Sequence, residues 1–174
     1  IGENNIVMQK LLKHKTTLGD LTRKIFVGLQ TSADKIYVLK IEEVIGDTIR
    51  CYSNQLEEYI EIEKGFIRPF LMGKDVRRYE NPLPKKVVIF PYWIKDGKVD
   101  LMTQKEIMEK FPLGWDYLLK NKKVLESREN GRFKETWWSF SRPQNMTEFE
   151  TSKIITPDIC NKPEMTIDLN GGMY

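Results

Sequence analysis

The chain has 174 residues, 40% of them hydrophobic, enough to bury one core, so a single domain is the default. No apolar run approaches the roughly 20 residues that a bilayer crossing needs, and no charged-then-apolar leader opens the chain, so a soluble, cytoplasmic protein is expected. Net charge is +3, and the two distant cysteines, Cys51 and Cys160, with the lone histidine, His14, argue against a disulfide framework, a metal site and histidine-dependent catalysis.

Ile6, Val7, Leu11 and Leu12 recur at helical spacing and predict a short helix over residues 5–15, broken at Thr16-Thr17-Leu18-Gly19-Asp20. The chain starts without methionine and in mid-pattern, so residues 1–17 are expected to be a connector helix from a missing upstream portion, with one domain over 18–174. Strands are predicted at 25–27 and 36–39, joined by the polar turn Gln30-Thr31-Ser32-Ala33-Asp34, and again at 47–51 and 59–62. Pro69 near the start of 68–72, with Gly73 behind it, suggests a helical turn. A strand at 87–90 is followed by Lys95-Asp96-Gly97-Lys98, a hairpin turn.

Thr103 and Glu106 have capping-box spacing, which predicts a helix to about Lys110. Trp115, Leu118, Leu119, Lys122 and Leu125 line one side of a second helix reaching about Arg128 and closing at Asn130-Gly131. A Trp-rich coil or helix at 136–142, one strand at 153–156 and a last segment at 165–169 complete the chain, with one of Trp137 and Trp138 buried and the other bracing a loop. The expected fold class is α+β, a mixed α/β domain with several short strands and a few helices.

Charge is unevenly spread. Residues 41–63 carry seven acids against one base, whereas 68–86 and 120–134 each carry six bases against two acids. No Gly-rich phosphate loop is present, which sets nucleotide hydrolysis aside. Asn81-Pro82-Leu83-Pro84 lacks the aromatic with which amino-methyltransferases stack on an extruded adenine, and reads as a turn. Pro157-Asp158 has the start of a metal-dependent nuclease cluster but no Glu-x-Lys pair after it.

What remains is basic, hydrogen-bonding and aromatic side chains interleaved in three places. Arginine grips a guanine edge with two parallel bonds, lysine neutralises phosphate, and short polar groups reach either. The candidate DNA-contacting residues are Lys74, Arg77 and Arg78 in the first place, Arg128, Arg132, Lys134 and Arg142 in the second, and Thr31 and Ser32 in the third. Phe70, Leu71 and Val76 are assigned to the core.

The same segments resemble a known family. Residues 28–39 (Gly28-Leu29-Gln30-Thr31-Ser32-Ala33-Asp34-Lys35-Ile36-Tyr37-Val38-Leu39) and 67–79 are similar, in order and spacing, to the TaqI-like C-terminal specificity domain. So are Ile89-Phe90-Pro91-Tyr92, Leu125-Glu126-Ser127-Arg128-Glu129 with Trp137-Trp138, and Lys153-Ile154-Ile155-Thr156-Pro157-Asp158-Ile159.

The resemblance spans 18–174 and implies a non-catalytic domain that reads double-stranded DNA for an adenine-specific methyltransferase or a fused restriction-modification enzyme. It further implies an upstream methyltransferase domain in the same polypeptide. S-adenosylmethionine would belong to that parent enzyme, with no cofactor or metal in this fragment. Two other classes stay open: a metal-dependent nuclease fragment using Asp158, and a protein-interaction domain whose basic faces are merely solvated.

Overall fold

The strand pattern of the first half resolves into one antiparallel sheet in the computed structural model, which describes residues 3–174. Its strands are β1 (Val38–Ile45), β2 (Thr48–Ser53), β3 (Glu58–Glu63), β4 (Ile67–Phe70) and β5 (Lys86–Ile89), in the order β3-β2-β1-β5-β4. Alternation assigns its faces. Ile49 lies opposite Ile62, Cys51 opposite Ile60, Leu39 opposite Val87 and Ile67 opposite Ile89, and these side chains point into the core. The other face carries a row of cross-strand partners, Tyr59, Tyr52, Lys40, Lys86 and Phe70.

Helices cover the apolar face. Of the six among the described residues, α1 (Glu3–Leu12), α2 (Leu18–Leu21) and α3 (Asp34–Tyr37) precede the sheet, while α4 (Gln104–Lys110), α5 (Pro112–Lys120) and α6 (Lys122–Ser127) follow it. Helix α5 packs on β3, where the Glu63 carboxylate accepts from the amides of Leu113 (2.8 Å) and Gly114 (3.0 Å) and so satisfies the helix start. The Thr103–Glu106 capping box opens α4 as its spacing predicts. Two hairpins complete the fold: β6 (Tyr92–Lys95) with β7 (Lys98–Leu101), and β8 (Lys153–Ile155) with β9 (Thr166–Asp168). Asp96 and Gly97, at φ of 52° and 72°, make the first a tight left-handed turn. The molecule is a single α+β domain.

Several expectations are corrected. Residues 25–27 form no strand: Ile25 and Val27 are exposed, Phe26 packs edge-on against Phe149, and the only pairing nearby is an isolated bridge from Gln30 to Arg142. Strand propensity without a neighbouring strand leaves extended coil. The strand expected at 36–39 begins as α3, and only Val38 onward is extended.

Residues 68–70 belong to β4 rather than to a helical turn. Proline is tolerated there because β4 is the sheet edge, and the Pro69 carbonyl, facing away from β5, accepts from the Tyr174 amide at 3.0 Å. The single helix expected to reach Arg128 is two, divided at Asn121, whose side-chain amide donates to the Tyr117 carbonyl at 2.9 Å. Both tryptophans are buried: Trp137 packs on Trp115 at 5.3 Å, and Trp138 Nε1 donates to the Met102 carbonyl at 2.8 Å.

Candidate nucleic-acid interface

The polar turn at 30–34 is held from inside. Thr31 Oγ1 accepts from the Ala33 amide at 3.0 Å and donates to Asp34 Oδ1 at 2.5 Å, which closes the turn into α3. Its tip is Ser32, exposed and left-handed at φ 55°. A non-glycine residue is held there only when its surroundings over-determine the backbone.

Arg128 supplies that constraint. Glu129, Asn130 and Gly131 all have positive φ and reverse the chain after α6, so that 132–142 returns past the end of the helix. Arg128 sits in the fold this creates, 7% exposed, and donates from Nε to the Leu125 carbonyl (3.0 Å) and from Nη1 to the Thr31 carbonyl (2.7 Å). Its Nη2 reaches the carbonyls of Trp137 (2.7 Å) and Ser139 (2.8 Å). One guanidinium thus ties three separate chain segments together, and its charge is met by four carbonyl dipoles.

Two of the candidate DNA contacts are corrected by this geometry. Arg128 and Thr31 are both buried, with their polar atoms engaged inside the protein. They are positioning residues for the turn and not part of its outward surface.

Around this turn lie two adjoining clefts that share Leu29, Asp34 and Lys35. The first, of about 600 Å³, is lined by Gln30, Ser32, Lys35, Gln55, Val124, Ser141 and Arg142 with the clamped Thr31 and Arg128. The second, of about 380 Å³, has the outer face of the sheet as its floor, with Val38, Lys40, Phe70 and Lys86, and Asn54, Met72 and Tyr174 as its walls. Lys35, Lys40, Lys86, Arg128 and Arg142 line the two against a single acid, Asp34. Glu42, 2.6 Å from Lys40 Nζ, pushes the Lys40 ammonium pKa upward by hydrogen bond and charge, and its carboxylate offsets part of that positive charge.

Of the sequence candidates, Ser32 and Arg142 meet in the first cleft, and Lys74 is exposed and lines neither, although its neighbour in sequence, Gly73, lines the second. Arg77, Arg78, Arg132 and Lys134 are exposed but line neither. Arg78 is stacked over Tyr79 at 4.7 Å, with its amide donating to Glu164 at 2.8 Å, and Arg132 lies 3.8 Å from Glu129.

Sequence reasoning misses Lys35, Lys40 and Lys86. Lys40 and Lys86 are outward positions on strands that pair with each other, a signal present in the alternation but usable only once the register is known.

Among the described residues no three His, Cys, Asp or Glu side chains gather as a metal site would require, and no helix is long and apolar enough to cross a membrane. No protein-family model matches the chain, and no curated protein is significantly similar to it.

Proposed function

We propose that this chain is the double-stranded DNA recognition domain of a restriction-modification enzyme of the adenine-methylating kind, working in the cytoplasm and non-catalytic by itself. One observation carries the reading: four basic residues, Lys35, Lys40, Lys86 and Arg142, and a set of amide and hydroxyl groups converge on two joined clefts whose turn is held by the buried Arg128, with Asp34 the one acid in the lining and Glu42 paired to Lys40. Fixed cations in a concave surface raise the local potential that attracts a phosphate backbone, and neutral hydrogen-bonding groups beside them suit base edges. In this reading the sheet-floored cleft grips the backbone through Lys35, Lys40 and Lys86, and the turn side of the first cleft faces the groove. Methyl transfer and S-adenosylmethionine belong to a methyltransferase portion of the parent enzyme, which closes on the duplex from the opposite side.

Fluorescence anisotropy of a labelled duplex pool across a salt series tests this. Affinity is expected to fall linearly with the logarithm of salt concentration, and the double variant Lys35→Ala, Lys86→Ala is expected to lower the slope by about 2, one for each phosphate no longer neutralised, for all sequences alike. An unchanged slope in a variant that still binds, or no duplex binding at low salt, would refute the assignment.

A further inference from the structure

We infer that Gln30 and Arg142 act together as a donor-rich pair that selects guanine, an inference that rests on the duplex-recognition reading above and names the specificity-determining residues within it. The two residues are partners in the isolated antiparallel bridge, and both line the first cleft. Their backbones are fixed before any side chain is used: the Arg142 amide donates to the Gln30 carbonyl at 3.3 Å, and Ser141 Oγ donates to the same carbonyl at 3.2 Å. Both side chains are exposed, and Arg142 Nη1 donates to Gln30 Oε1 at 3.3 Å.

That contact changes what the amide offers. A free glutamine presents one acceptor beside one donor and so matches the major-groove edge of adenine. With one lone pair of Oε1 taken by the arginine, the Nε2 hydrogens of Gln30 and the remaining N–H groups of Arg142 outnumber the acceptor capacity the pair has left. Guanine is the base whose major-groove edge shows two adjacent acceptors, N7 and O6, and no donor. Adenine and cytosine would set an amino group against these donors, and thymine has one acceptor beside a methyl group. The one acid of the cleft, Asp34, accepts from Thr31 Oγ1 at 2.5 Å.

Selection from a randomised duplex library by the full chain tests the pair. The wild-type chain is expected to enrich guanine at one position. Arg142→Ala frees the Gln30 amide, so that position is expected to move toward adenine, with the guanine-over-adenine ratio falling roughly 5- to 150-fold and the other positions unchanged. Gln30→Ala, an exposed substitution that leaves the bridge backbone in place, is expected to weaken guanine preference there without any gain for adenine. Guanine retained at full preference by a folded, DNA-binding Arg142→Ala chain, or by Gln30→Ala, overturns the assignment alone. Failure of the wild-type chain to enrich any duplex overturns it together with the duplex reading beneath it.

Discussion

Arg128 is the residue on which most separate segments depend. Lysine in its place keeps the charge but has three donors on one atom, which cannot reach four carbonyls spread over α6, the 30–34 turn and the Trp137–Ser139 segment. Arg128→Lys is therefore expected to lose about 2–4 kcal/mol, read as a lower urea midpoint, because buried acceptors are left unpaired. The buried tyrosines set an alkaline limit. Burial raises the pKa of the hydroxyls of Tyr37, Tyr92 and Tyr174 well above the ordinary range, and that of Tyr117 to about 12.

Below pH 10 these groups are protonated in both folded and unfolded chains, so their contribution is fully present. Above it the unfolded chain ionises first, and stability falls by about 1.4 kcal/mol per pH unit for each tyrosine. Urea midpoints should be flat from pH 7 to 9.5 and drop steeply between 10 and 12; a flat profile through pH 11.5 would contradict this.

At the scale of elements, contacts between α5 and its neighbours decide what is tolerated. Gly114 lies against Phe66, and a Cβ there would come within 2.3 Å of that ring, itself 0% exposed in the core. Gly114→Ala is expected to cost about 1–3 kcal/mol by forcing the ring or the helix to shift, measured as a fall in unfolding midpoint. In the β6–β7 turn nothing lies within 4 Å of the Gly97 Cβ position, so Gly97→Ala acts through its φ of 72° alone and should cost about 1 kcal/mol.

Local signals found these elements when the reason for them was local. The Thr103 cap, the Asp-Gly turn and the alternation of β2 and β3 are each written within a few residues. Pro69 misled because its helix-start preference is local, whereas its place on a sheet edge depends on β5 and on Tyr174, far away in sequence.

At the scale of the molecule, the end of the chain closes the sheet. The Leu71 amide donates to the Tyr174 carbonyl at 2.8 Å, and the Tyr174 ring stacks on Phe149 at 4.9 Å and meets Phe90 at 5.0 Å. A nearly buried ion pair stabilises this arrangement: Lys153 Nζ donates to Asp168 Oδ2 at 2.5 Å, and the Met173 amide donates to the same carboxylate oxygen at 3.0 Å. Since this segment also walls the second cleft, Tyr174→Ala is expected to cost about 3–5 kcal/mol and, under the proposed DNA-reading function, to weaken duplex binding as well. A variant that loses stability at constant duplex affinity would separate the two roles.

Composition and periodicity by themselves determined the α+β class, most strands and helices, and the two basic stretches, because burial patterns and caps act over a few residues. Which of those bases face one another was decided only by tertiary structure. Arg128 and Arg142 are both arginines in similar polar surroundings along the chain. The reversal at 129–131 buries the first among carbonyls and leaves the second exposed beside Gln30. Strand register did the same for Lys40 and Lys86, distant in sequence and direct partners across β1 and β5. Charge alone has no direction; the backbone that carries it supplies one.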